Sequence, residues 1–161
     1  MKSAISGAWI YAIVLVFMMI LIAYVTVTIN YAHTFELSEH MLKIIEQSEG
    51  FNGNSRKKIN QYLESQHHTI QNYCNVNTFE DKVYGIVGES DITEIKGNKD
   101  KKYDYCISRT KITSQGTTRC YYRISIFFAF SVPILGDLYA FNVPGETLGL
   151  TQVNDDTFGA C

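Results

Sequence analysis

Four cysteines carry most of the chemistry this chain can offer, and Cys74, Cys106, Cys120 and Cys161 all lie in its mixed, polar body. An even number of thiols in a small exported domain suits two disulfides, and spacing leaves all three possible pairings open. Free or buried thiols are the plainer alternative. Zinc is a poor fit, because there is no C-x-x-C and the adjacent His67 and His68 cannot both face one ion from a helix. A His67/Cys74 metal pair is weaker still. Two bridges suit a body of about 110 residues with short apolar runs, each adding on the order of 2–4 kcal/mol.

Catalytic constellations are lacking in the sequence. It holds no G-x-S-x-G, no H-E-x-x-H, no phosphate-cradling glycine loop and no calcium-binding loop. The acidic pair Asp155-Asp156 reads as solvation of a tail rather than a metal site. Asp137 and Glu146 flank a candidate strand, and acid–base work needs a geometry that spacing does not supply. The 11 tyrosines suit half-buried strands as well as contact surfaces. The expectation is therefore a non-enzymatic protein with no cofactor. A net charge of −2 provides no basic footprint for nucleic acid. Arg56-Lys57-Lys58 reads as a solvated helix face, and Lys99 to Lys102 as a charged loop.

The element that must position these groups is the run from Ala8 to Ile29, which has no charge, proline or glycine. Its length as a helix is roughly 30 Å, matching the hydrocarbon thickness of a bilayer. A cleaved secretory signal has a shorter apolar region, and the candidate exit Asn30-Tyr31-Ala32 places a large side chain where a small one is needed. A core helix would have to be covered on every side, which a chain this small cannot do. A retained membrane helix is the expectation. Lys2 and the α-amino group precede it, while Glu36 and Glu39 are the first charges after it. The positive-inside tendency then predicts a single-pass protein with a cytoplasmic N-terminus and an extracytoplasmic C-terminal body.

No helix breaker follows until Gly50. Between Asn30 and Glu49, Phe35, Leu37, Met41, Leu42, Ile44 and Ile45 recur at helical spacing, with Glu36, Glu39, Lys43 and Glu46 mostly elsewhere. The chain thus divides into a short cytoplasmic leader (1–7), a transmembrane helix prolonged into an amphipathic stalk (8–49), and a head (50–161). The stalk's apolar side requires a cover, supplied by its own head or by neighbouring copies. Ser55 is a plausible cap for a short second helix carrying Ile59, Tyr62 and Leu63. Strands are expected at Val83–Val87, at Ile92–Lys96 turning through Gly97–Asp100 into Tyr103–Ile107 and on to Ile112, and at Arg119–Phe130 after a turn at Ser114–Thr117. Pro133 ends the last of these, and Leu138–Val143 forms one more strand before Pro144-Gly145. The tail from Val153 reads as loop unless Cys161 is bridged. The predicted class is α+β: a long N-terminal transmembrane and amphipathic helix packed on a small antiparallel meander.

In layout the chain resembles the type IV pilin superfamily, and within it the TadE/TadG-like (tight-adherence) pseudopilins. The resemblance rests on the small leader ending in Gly7, the apolar helix prolonged as an amphipathic one, and the cysteine-bearing β domain. Val132-Pro133-Ile134-Leu135-Gly136-Asp137 and Phe141-Asn142-Val143-Pro144-Gly145-Glu146-Thr147 are similar to C-terminal segments of such proteins. It implies prepilin-type cleavage between Gly7 and Ala8, which makes Ala12 the fifth mature residue where prepilins carry glutamate. It also implies partners: the lipid bilayer, other pilin-like subunits and an assembly platform, with no nucleic acid. In that setting the protein is a minor pilin or pseudopilin of a filament or secretion apparatus at a bacterial surface. The competing class is a single-pass anchored binding or accessory module, whose stalk its own sheet would shield fully rather than partly. An anchored enzyme would need a pocket of convergent polar groups, for instance around Asp137 or Glu146.

Overall fold

A computed structural model describes residues 2–74, 82–95, 101–131, 138–151, 153–159 and 161, with backbone alone for 2–8, 130, 131, 138 and 139. One helix, α1 (Lys2–Gln47), runs unbroken for 46 residues. It stops where the Gly50 N–H turns back to the Ile45 carbonyl at 3.0 Å. A second helix, α2 (Gly53–Ser65), follows at once. Its cap is Asn52 rather than the expected Ser55. The Asn52 side chain accepts from the Asn54 and Ser55 N–H groups, and the Ser55 hydroxyl accepts from the Asn52 N–H. Ser55 thus closes a reciprocal capping box from the third helical position, and the helix starts earlier than a lone serine cap implies.

Five strands form one antiparallel sheet: β1 (Val83–Val87), β2 (Asp91–Glu94), β3 (Tyr105–Ser114), β4 (Thr117–Ser131) and β5 (Leu138–Glu146). Their order is β2-β1-β3-β4-β5. The architecture is the expected α+β one, a long apolar-to-amphipathic helix packed on a small antiparallel sheet. The order is not a plain meander. β2 was expected to turn directly into β3, yet β1 lies between them. The reason is burial. Val83, Gly85 and Ile86 are buried, so β1 belongs inside the sheet, whereas Asp91, Thr93 and Glu94 leave β2 fit for an edge. The Gly97–Asp100 turn and Lys99 lie outside the described residues, as do Lys96, Pro133, Asp137 and the whole Val132–Asp137 segment. The β3–β4 turn is as expected, with Gln115 at φ 50° and Gly116 at φ 78°, the left-handed pair a tight hairpin needs.

β5 continues through Pro144 and Gly145 instead of ending before them. As an edge strand it tolerates a proline, and the glycine is required by the helix above it. A Cβ on Gly145 would lie 2.6 Å from Ser38 Oγ and 2.7 Å from Leu42 Cδ1. Here α1 lies directly on β5, with β4 beside it.

Alternation along β3 and β4 divides the core in two. Tyr105, Ile107, Tyr122, Ile124, Ile126 and Phe128 face α1 and α2, where they meet Leu37, Met41, Ile45, Phe51, Ile59 and Leu63. On the reverse face Cys106 and Phe127 pack with Cys74, Val83, Ile95 and Tyr103. The sheet is thus covered on both sides over its middle, by helices on one and by the chain around residues 70–74 on the other.

Candidate functional site

From Trp9 to Ile29 no residue of the helix is buried and only Ala23 and Val27 are half-covered, and its most apolar window has a mean hydropathy of 2.8. It is long and apolar enough to cross a membrane. Its two threonine hydroxyls are internally satisfied: Thr26 and Thr28 donate to the Ile22 and Tyr24 carbonyls at 2.8 and 2.9 Å. That arrangement removes the threonine hydroxyls from the donors needing water along the apolar surface. One side carries a shallow apolar strip formed by Trp9, Ala12, Ile13, Val16, Phe17 and Ile20. Gly7 and Ala8 lie within the helical backbone, at its N-terminal end.

The stalk is used differently. Leu37, Met41, Leu42, Ile44 and Ile45 are buried in the head core, and only Phe35 of the expected packing face stays exposed, at 42%. The sheet therefore takes up nearly all of the stalk's apolar side.

The cysteines form two bridges, Cys74–Cys106 and Cys120–Cys161. Cys106 pairs across the ladder with Ser125, and Lys111 with Cys120, so the bridged positions of β3 and β4 face opposite ways. One bridge ties the chain after α2 to the reverse face. The other ties the C-terminal residue to the helix-covered face. With Cys74 oxidised, the His67/Cys74 pairing is gone.

The tail was expected to be loop, and it is irregular but firmly held. Cys120 and Leu150 exchange backbone hydrogen bonds at 2.8 and 2.9 Å, and Asn154 donates to the Glu49 carbonyl at 2.7 Å. Asp155 and Asp156 do not merely solvate it, as their sequence suggested. The Asp155 carboxylate has no exposure; it accepts from the Tyr122 hydroxyl at 2.5 Å and from the Thr157 and Phe158 N–H groups, with Arg109 at 3.7 Å. Arg109 in turn donates to the Phe158 and Gly159 carbonyls. Burial, reinforced by the neighbouring carboxylate, pushes the Tyr122 hydroxyl well above its ordinary range. Asp156 accepts from Arg56 at 2.6 Å and from the Gly53 N–H at 3.0 Å. Burial works against its ionisation, but Arg56 and the helix N-terminus outweigh that and hold it below the usual carboxylate range. Arg56 is accordingly not a solvated charge. Between these anchors the Phe158 ring meets the edges or faces of Phe51, Tyr84 and Tyr122.

Glu146 pairs with Arg123 at 3.0 Å, and Lys101 with Asp91. Among the described residues no group of three His, Cys, Asp or Glu side chains is arranged to hold a metal. The histidines gather instead beside the helices. His40 stacks on Tyr62 at 3.9 Å, and the His68 Nε2 is buried without a partner. Burial lowers the His68 pKa, Asp104 opposes this and His33 adds to it. A base whose folded pKa is depressed stabilises the fold fully above its unfolded pKa, and that contribution is lost as pH falls towards the folded value. Denaturation midpoints should therefore drop on acidification below the ordinary histidine range of about 6.5. His68→Gln should flatten that part of the profile, and an unchanged slope would remove His68 as its cause.

Sequence reasoning missed Arg109, Tyr122 and Phe158. The one available signal was Asp155-Asp156-Thr157-Phe158 just before a terminal cysteine, where an Asx turn can fold the chain back. No protein-family model, curated protein or solved structure matches this chain.

Proposed function

We propose that the protein is a membrane-anchored, pilin-like subunit of the TadE/TadG-like kind, with its disulfide-bearing head outside the cytoplasm and its rod available for assembly. The observation that carries this reading is the division of α1. One half is clasped by the head, and the other is a bare apolar rod continuous with it. The two disulfides suit an oxidising compartment. In the bilayer the rod is at rest. Removing about twenty apolar side chains from lipid into water costs roughly 30 kcal/mol, so release needs a powered machine and a filament core that covers the same surface again. Function in this reading is packing, not catalysis.

A second reading has an observation of its own. The stalk's apolar face is almost wholly covered by its own sheet, as suits a solitary anchored module. The mass of the N-terminus, measured in membranes and in material sheared from the cell surface, separates the two. A chain beginning at Ala8 in the sheared fraction supports assembly; an intact Met1 confined to membranes supports the fixed anchor.

A further inference from the structure

The head follows the rod further than the apolar run alone suggests. Between Trp9 and Ile29 only Ala23 and Val27 are half-covered. At about 100° per residue both fall on the line of Thr34, Ser38, Met41 and Ile45, the buried side of the stalk. The strands account for that line. Gly145 lies over Ser38 and Leu42, and the stacked Phe128 and Phe141 meet Tyr31, whose ring is edge-on to Phe128 at 5.8 Å. From Gly145 to Phe141 the strand β5 advances about 14 Å. From the Ser38/Leu42 level to Tyr31 the helix also advances about 14 Å. Strand and helix thus run nearly side by side, in opposite directions. The ladder continues through Ala129–Ala140, Phe130–Tyr139 and Ser131–Leu138. Three more pairs add about 10 Å, which brings the last pair level with Tyr24, at the height of Ala23 and Val27.

That geometry conflicts with a bilayer whose hydrocarbon surrounds Ala8–Ile29. β5 ends the sheet order, and alternate residues of an edge strand turn their N–H and C=O groups away from the ladder. Along Leu138–Phe141 these are about four backbone groups, each costing several kcal/mol in lipid without a partner. Moving the rod outward by about 10 Å avoids that cost. The move draws Trp9 and Tyr11 below the interfacial belt, where their two donors cost about 1–3 kcal/mol each. Four stranded backbone groups outweigh two side-chain donors. No Asp, Glu, Lys or Arg lies between Lys2 and Glu36, so no charge opposes the move until Lys2 itself reaches the lipid. As a helix, Lys2–Ile22 measures roughly 30 Å, the hydrocarbon thickness with nothing to spare.

We infer that the membrane-crossing segment is Lys2–Ile22, with the ends of β4 and β5 setting its outer limit and Lys2 its inner one. Residues 23–29, apolar as they are, belong to the stalk outside the hydrocarbon. Residues 3–7 lie in lipid and are part of the anchor. Cleavage after Gly7 would leave Ala8–Ile22, about 23 Å of helix, short of the hydrocarbon thickness. Such processing would loosen the hold on the membrane, through mismatch and through loss of Lys2. This inference rests on the anchored reading, and Trp9, the single tryptophan, tests the two apart.

The full wild-type chain is reconstituted in phosphatidylcholine vesicles brominated either high on the acyl chain, near the glycerol, or low, near the bilayer centre. With Lys2–Ile22 across the bilayer, Trp9 lies about 10 Å inside the inner boundary, and the low label should quench it about twofold more than the high one. With Ala8–Ile29 across it, Trp9 lies at the boundary and the order reverses. Trp9→Phe/Ile29→Trp reads the other end. Ile29 is exposed on the helix, and the reporter there should be quenched by iodide present on both sides and by neither bromine label. Stronger quenching of Trp9 by the high label, or quenching at position 29 by either bromine label, overturns the placement and leaves the anchor standing. Trp9 quenched by neither label overturns the anchored reading and the placement with it.

Discussion

Reducing both disulfides is expected to unfold the head while leaving the rod helical. The bridges close loops with sequence separations of 32 and 41, and the two loops do not overlap. Each therefore restricts a separate part of the unfolded chain. On chain-entropy grounds each contributes about 4 kcal/mol, and together they rival the total stability of a typical domain, about 5–15 kcal/mol. The effect is largest for the unfolded state, but the folded state also loses its geometry. Without Cys120–Cys161 the tail that carries Phe158 is no longer held at its end, and without Cys74–Cys106 the reverse face loses part of its cover. Urea denaturation of the detergent-solubilised full chain, followed by circular dichroism, should show lower midpoints for Cys74→Ser/Cys106→Ser and for Cys120→Ser/Cys161→Ser. Under reductant the sheet signal should disappear and the helical signal of the rod persist. A midpoint insensitive to reductant would mean the core alone stabilises the head.

Asp155→Ala should destabilise the head by about 3–5 kcal/mol, because it strands a guanidinium and a phenol that are mostly out of water. Asp155 has no exposed side-chain surface, and Arg109 retains only 11%. With the carboxylate gone, Arg109 keeps its two carbonyl acceptors but loses its counter-charge, and the Tyr122 hydroxyl and two tail N–H groups lose their acceptor. The neighbouring Asp156 is the internal control. Its side chain is 50% exposed, and its pair with Arg56 is screened by water, so Asp156→Ala should cost less than about 1 kcal/mol. The pair of adjacent aspartates thus predicts a several-fold asymmetry. Combining Asp155→Ala with Arg109→Leu should cost less than the sum of the single changes, since the stranded charge goes too. Equal costs at 155 and 156 would show that the clasp is peripheral to stability.

Much of the layout was legible along the chain. The apolar run, the absence of breakers up to Gly50, and the stalk spacing of Leu37, Met41, Leu42, Ile44 and Ile45 all act over a few residues, and they yield the helix found. The Ser114–Thr117 turn and the long β4 strand are equally local. The errors fall where a distant partner decides. Pro144-Gly145 reads as a strand end until the edge position and the overlying helix are known. The Ser55 cap is a local miss instead: Asn52, three residues earlier, takes that place and Ser55 answers it.

By itself the sequence determined an apolar rod long enough to cross a membrane, a cysteine-bearing sheet domain and the point where one becomes the other, because hydrophobic periodicity and turn chemistry are written in neighbouring residues. Only the tertiary structure decided that β1 separates β2 from β3, that the two bridges lie on opposite faces, and that Asp155 is buried beneath Arg109 and Tyr122. It also brought Phe141 level with Tyr31, across a sequence gap that no local pattern spans. Those relations follow from burying both faces of one sheet at once. The free energy that selects them depends on the assembled core and not on any single segment.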